Sequence, residues 1–158
     1  MHSSRLTEFC IYLAQKPGQL AGLLEAAAAA GVYVSGLCVS EYRDRGLVRL
    51  VGEPEDALRH VCESLVESGL GPVVESPVLA IDVENRPGAL RDVACCLADA
   101  RVNIQYVFLT TPANGHPSRA VMRVDDLDRA VSAIADLEWP TRVDSNGGKS
   151  GESVPFNA

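Results

Sequence analysis

Leu13-Ala14-Gln15-Lys16-Pro17-Gly18-Gln19-Leu20 and Val83-Glu84-Asn85-Arg86-Pro87-Gly88-Ala89-Leu90 are two copies of one stretch, and their reading decides the fold. Pro17 to Pro87 is a step of 70 residues, and the Gly and Leu that follow repeat at the same step. An alternating apolar run leads into each copy and a helical pattern leads out. Each Pro-Gly therefore stands where a strand hands over to a helix. Pro pre-sets φ for a first helical turn and needs no backbone donor there. Gly lets the backbone approach whatever lies outside. The next N–H groups are unpaired and sit at the positive end of the helix dipole, a place to hold a carboxylate or phosphate. One such copy alone is a plain β-to-α turn; two in matching contexts point to a paired ligand site.

Working outward from the first copy, Phe9, Ile11 and Leu13 alternate as the face of a strand, with residues 1–6 polar and loose. Leu20, Leu23, Leu24 and Ala27 fall at helical spacing, and Gly31 stops that helix. Residues 32–40 read as a second strand, 41–46 as a charged turn and 47–51 as a third strand. Pro54 opens a helix carrying Ala57, Leu58, Val61, Cys62 and Leu65 on one face, and Val73-Val74 begins a short fourth strand. The second copy repeats the order. Leu79, Ile81 and Val83 lead, Leu90, Val93, Ala94 and Leu97 form a helix stripe, and residues 102–110 and 120–124 are strands around a turn at 112–118. Asp125-Asp126 caps a helix with Leu127, Ala130, Val131 and Ile134, and residues 141–143 form a final strand. The offset grows from 70 to 73 after that turn (Ala57 matches Ala130), where inserted residues cost little. Each half reads βαββαβ. The expected fold is α+β: two ferredoxin-like βαββαβ repeats packed side by side, with antiparallel sheets and helices on one face. The repeats span 7–75 and 76–143, with 144–158 as a disordered tail.

Composition narrows the function. Fourteen basic against 21 acidic residues give a formal charge of −7, which disfavours nucleic acid and anionic membrane surfaces as partners. Aromatic residues make up only 5%, too few for a base-stacking platform. Five scattered cysteines, an odd number without zinc spacing, read as buried thiols in a reducing compartment. Cys95-Cys96 is a weak redox or soft-metal candidate, since adjacent helix positions point to different faces. The start has no signal-peptide core and no apolar run is long enough to cross a bilayer, so a cytoplasmic location is expected. Three unclustered histidines make neither a metal site nor a triad, and no nucleophile has an obvious base. No cofactor and no metal are expected.

Asn85-Arg86-Pro87-Gly88-Ala89-Leu90, followed by Arg101-Val102-Asn103-Ile104, resembles the ACT domain, a small-molecule regulatory module. Lys16-Pro17-Gly18-Gln19-Leu20 with Gly31-Val32-Tyr33-Val34 resembles a second one. The likeness runs from about Thr7 to Arg142 and is closest to stand-alone tandem ACT proteins. It implies repeats that bind amino acids between them, the strand-to-helix loop of one facing the second strand of its neighbour. Carried over, the ligand-contacting positions are Gln15, Lys16, Pro17, Gly18, Gln19 and Leu20 in one loop. In the other they are Asn85, Arg86, Pro87, Gly88, Ala89 and Leu90, with Asn103 and Ile104 as second-strand contacts. An Asn side chain carries both donor and acceptor, so Asn85 and Asn103 suit an ammonium and a carboxylate together. The first repeat departs from the pattern, with Gln15 for Asn85 and Tyr33 for Asn103, so the two sites are not expected to be equal.

The expected function is an amino-acid-binding sensor or regulator without catalysis, acting on a regulated enzyme and capable of forming a homodimer. Two rivals stand beside it. A small enzyme would use Glu84 or Cys38 in the inter-repeat cleft. An interaction module would join its partner by sheet-edge pairing. Arg49 and Arg123, amid apolar strand neighbours, read either as ligand-carboxylate partners or as arginines on an exposed sheet face. The run Ala26 to Ala30 reads as a dimer contact or as a solvent-facing stretch, and Tyr106 and Phe108 as packing residues.

Overall fold

A computed structural model describes residues 3–110 and 118–137. Among the described residues six strands form one antiparallel sheet and four helices cover one face. The chain order is β1 (Ser3–Ala14), α1 (Gln19–Ala29), β2 (Tyr33–Tyr42), β3 (Arg45–Glu53), α2 (Glu55–Glu67), β4 (Val73–Val83), α3 (Ala89–Asp99), β5 (Ile104–Thr110), β6 (Ser118–Val124) and α4 (Leu127–Ala135). Across the sheet the strands lie β2-β3-β1-β4-β6-β5. The α+β class with ferredoxin-like repeats is as the sequence predicts. The expected strand at 141–143, the tail from 144, His2, His116 and most of the 112–118 turn lie outside the described residues.

Each repeat buries its own core between sheet and helices. Phe9, Ile11, Leu13, Val48 and Leu50 meet Leu23, Ala27 and Leu58 in the first. Leu79, Ile81 and Met122 meet Val93, Leu97 and Ile134 in the second. Period-two alternation sends the intervening residues to the opposite face. There the sheet curls, and the two edge strands β2 and β5 come into contact although they share no ladder. Gly36 on β2 allows this, because a Cβ there would stand 3.2 Å from the Phe108 ring on β5. Val51, Val78 and Val121, with Leu6 and Phe108, fill that concave face.

Two expectations need correction. Ser3–Leu6 is not loose: it is the first part of β1, paired with β4 from Ser3↔Ile81 to Leu6↔Val78. Likewise the short strand at 73–74 and the strand led by Leu79 are one uninterrupted strand, β4. The reason is reciprocal. β1 lends its start to the second repeat's sheet, and β4 lends Val73 and Val74 to the first, opposite Ile11 and Cys10. Thr7 faces Pro77, its own counterpart at the seventy-residue step, so the approximate two-fold axis relating the repeats passes between these two residues.

Candidate functional site

Both Pro-Gly stretches adopt the same backbone. Gly18 has φ 88° and ψ −14°, and Gly88 φ 85° and ψ −9°. The Gln19 N–H donates to Lys16 O at 3.4 Å, and the Ala89 N–H to Arg86 O at 3.3 Å. Pro followed by a left-handed Gly, closed from the fourth residue to the first, is a type II β-turn. The sequence reading placed Pro in the first helical turn. In the structure Pro is the first corner of the turn and Gly is the helix N-cap, so α1 and α3 begin one residue after Gly. Gly offers no side chain to cap, and neither helix has a side-chain cap hydrogen bond. The first N–H of each helix closes the turn, and the N–H groups of the next two residues stay directed outward at its positive end.

The turns match but their surroundings do not. In the second repeat Arg86 Nη2 donates to Asp92 Oδ2 at 2.8 Å and Arg86 Nε to Glu84 Oε2 at 3.1 Å, while Arg91 Nη2 donates to Asp92 Oδ1 at 2.7 Å. Asp92 lies in the first turn of α3, where an acidic side chain complements the dipole. Hydrogen bonds from Arg91 and then Arg86 hold its carboxyl below the usual carboxylate range. The same bonds raise both guanidinium groups above the ordinary arginine value. This loop already holds a carboxylate of its own.

The first loop has no such occupant: α1 carries no acidic residue in its first turn. Instead two clefts flank Ala14, Gln15 and Gln19. One, of about 350 Å³, lies against Leu13, Leu20, Val39 and Val48, with Lys16 and Pro17 on its rim. The other, of about 290 Å³, is bounded by Tyr12, Asp44, Arg45 and the segment Gly69-Leu70-Gly71. Both sit near the lower end of the ~300–1,000 Å³ range of small-molecule sites. Asp44 and Arg45 were visible in the sequence only as part of a charged turn. Their place beside the loop follows from the β1–β3 register, which sets Arg45 opposite Ala14.

The two loops stand at opposite ends of the β1–β4 pair, because these strands are antiparallel and each loop follows the C-terminal end of its strand. β1 is 12 residues long, so the loops are about 40 Å apart at ~3.3 Å per residue. Asn103 precedes β5, at the end of that strand away from Asn85: Ile104 faces Val124, whereas Thr110 faces Arg119 beside Asp82. The Asn103 N–H donates to Asp125 Oδ1 at 2.9 Å, and the Asp125 N–H to Asn103 O at 3.2 Å. Asp126 caps α4 as expected, accepting from the Arg129 N–H at 3.0 Å.

Arg49 does not lie on an exposed sheet face. It lies on the concave face, its guanidinium 4.2 Å from the centre of the Tyr106 ring and its Nη1 donating to Ser40 Oγ at 3.1 Å. Tyr106 OH in turn donates to Glu8 Oε1, which also accepts from Cys10 Sγ at 3.0 Å. Glu8 is fully buried, and Glu8 Oε2 and Arg49 Nε have no protein partner. Burial, then the Glu8 hydrogen bond, pushes the Cys10 thiol up to about 12 and raises the Tyr106 phenol likewise. Arg123 is half-buried, its Nε donating to Gln105 Oε1 at 3.0 Å. Of the enzyme candidates, Glu84 is engaged by Arg86, and Cys38 is half-buried on β2. Cys95 is exposed while Cys96 donates to Ala133 O at 3.3 Å, so the two thiols have separate surroundings. Among the described residues no three His, Cys, Asp or Glu side chains converge on a metal position, and no helix is long and apolar enough to cross a membrane.

The profile of the AHAS small subunit-like ACT domain matches residues 79–138. The second repeat is an ACT domain. Solved structures extend the likeness over both repeats. Protein BT0572 from Bacteroides thetaiotaomicron is 26% identical, with a TM-score of 0.73 over 84% of this chain and 88% of that one. The ligand-free regulatory subunit of aspartate kinase from Thermus thermophilus is 14% identical, with a TM-score of 0.61 over 85% and 96%. Its counterpart from Thermus flavus gives 14% and 0.58 over 85% and 94%. At that identity the likeness to the two subunits is one of fold. No curated protein matches the sequence.

Proposed function

We propose that this chain is a cytoplasmic regulatory protein that binds a small amino acid at its ACT loops and transmits its presence to a partner enzyme, without catalysis of its own. The observation that carries this reading is the duplicated type II turn, which leaves two helix N-termini uncapped. Free N–H groups at the positive end of a helix suit a carboxylate, and the flanking amides of Gln15 and Gln19, or of Asn85, offer both donors and acceptors. The ligand contacts are Gln15 to Leu20 and Asn85 to Leu90, with Asn103 and Ile104 joining where a neighbouring repeat brings its second strand to the loop. The regulatory fold shared with the aspartate kinase subunits supports a role in control. The working principle is a shift of population between two arrangements that the ligand binds unequally.

A thermal-shift screen against the twenty amino acids at millimolar concentration tests this. A ligand for the folded state alone stabilises it by about 2.7 kcal/mol at 100-fold over its Kd. A selective rise with one or two amino acids is expected, weakened by Gly18→Val, since a β-branched residue resists the left-handed conformation that turn requires. No response to any amino acid would remove this reading.

A second reading rests on a separate observation. Leu37 and Val39 on edge strand β2, and their repeat counterparts Val107 and Leu109 on edge strand β5, are 38%, 51%, 39% and 51% exposed. Unpaired strand edges bearing apolar side chains invite another strand. A homodimer, or a complex with a partner enzyme, would use these edges. Lys substitutions at Val39 and Leu109 would then abolish a complex seen by light scattering.

A further inference from the structure

We infer that the working site is single and asymmetric: the cleft of the first repeat takes the head group of a free α-amino acid, Arg45 holding its carboxylate and Asp44 its ammonium. This rests on the amino-acid reading above and specifies which residues of which repeat carry it.

The wall of the cleft is built from backbone. The Tyr12 N–H donates to Pro72 O at 3.1 Å, and Gly71, at φ 96°, passes so close that a Cβ would fall 2.0 Å from Tyr12 O. The segment 69–71 is thereby fixed against the end of β1 and cannot close over the cleft. The opposite wall is the β2–β3 hairpin, whose turn is Arg43-Asp44 between the paired Tyr42 and Arg45. Arg43 has a left-handed backbone (φ 57°), as a two-residue hairpin turn demands. Its guanidinium lies over the Tyr42 ring at 5.4 Å, and Tyr42 packs edge-on against Tyr12 with ring centres 6.0 Å apart.

Two opposite charges remain on the cleft's lining. Among the described residues neither Asp44 nor Arg45 has an ion-pair partner. A guanidinium binds a carboxylate through two parallel hydrogen bonds, and an ammonium offers three donors to a carboxylate acceptor. A zwitterion satisfies both and brings no net charge into the cleft; the Gln15 and Gln19 amides are left for its side chain.

The second repeat lacks this equipment. The sequence between β5 and β6, Thr111-Pro112-Ala113-Asn114-Gly115-His116-Pro117, contains neither Asp nor Arg. Its loop is already tied through Arg86 to Glu84 and Asp92.

The test is amide chemical-shift mapping of the full chain, titrated with each of the twenty amino acids, then with the amine and the carboxylic acid derived from any that bind. Binding of one equivalent per chain is expected, with shifts confined to residues 12–19, 42–46 and 69–71. Arg45→Ala and Asp44→Asn, both at exposed positions and checked by an unchanged melting temperature, should each weaken it at least tenfold. Arg119→Ala, which breaks the second repeat's ion pair with Asp82, should not. The lone amine and the lone acid should bind at least tenfold more weakly than the parent. An amino acid that instead shifts residues 84–91 and survives Arg45→Ala would overturn the inference while leaving the proposed function standing. A carboxylic acid that binds as tightly as its amino acid would overturn the zwitterion assignment. If no amino acid shifts any resonance, the inference and the proposed function fall together.

Discussion

Gly71 has no room for a side chain: its φ is 96° and any Cβ would collide with Tyr12 O. Gly71→Ala should therefore destabilise the chain by about 3 kcal/mol or more, by forced backbone movement and left-handed strain together. Urea denaturation would measure it. Glu8 is the opposite case, a side chain with room but without enough partners. Across the approximate two-fold axis its counterpart is Val78, that of Cys10 is Ala80, and that of Tyr106 is Gly36. The ladder likewise matches Arg49, opposite Cys10, to Val121, opposite Ala80. The same scaffold is thus polar on one side of the axis and apolar on the other, so nothing in the fold itself requires the polar set. Removing Tyr106 OH alone leaves a buried carboxylate with only the Cys10 thiol as donor, a loss of about 1–3 kcal/mol. Glu8→Met with Tyr106→Phe should cost less than the sum of the two single changes, and a double-mutant cycle would show that coupling. Neither residue announces this in the sequence: an acidic residue alternating with Phe9 and Thr7 reads as solvent-facing until the curl of the sheet is known.

At the scale of elements, α3 owes part of its N-terminal stability to Asp92. The folded-state pKa of that carboxyl is depressed by Arg91 and Arg86. Its contribution is therefore present above the unfolded pKa, about 3.9, and is lost as pH falls through the lower folded value. The difference in melting temperature between the wild type and Asp92→Asn should stay constant from pH 7 to about 5 and shrink below pH 4. The repeat, the shared βαββα order and the two Pro-Gly junctions were legible because apolar periodicity and a 70-residue step survive in one sequence. The turn type was not, since Pro before Gly serves a helix start and a type II turn alike, and only the φ of Gly18 and Gly88 decides. Ser3-Ser4-Arg5 was illegible for a different reason. It has no apolar pattern of its own and becomes a strand by pairing with Leu79, Ala80 and Ile81. The asymmetry of the two loops was foreseen from Gln15 and Tyr33, but its physical basis lies elsewhere, in Arg86–Asp92 and in Asp44 and Arg45. Those residues meet only through tertiary register.

For the whole molecule, the decisive feature is that β1 and β4 each belong to both repeats. A side-chain alternation of two permits antiparallel strands to slide only in steps of two residues, ~7 Å, without turning every core residue outward. Phe9, Ile11, Leu79 and Ile81 on these strands are all fully buried, so such a slide would empty both cores at once. Shear between the repeats is thus forbidden. What stays soft in a paired two-strand spine is its coil: a few degrees of added twist per residue preserve every hydrogen bond and still accumulate along its length. A ligand that tightens the first loop would be felt ~40 Å away as rotation, the spine working as a torsion bar rather than a piston.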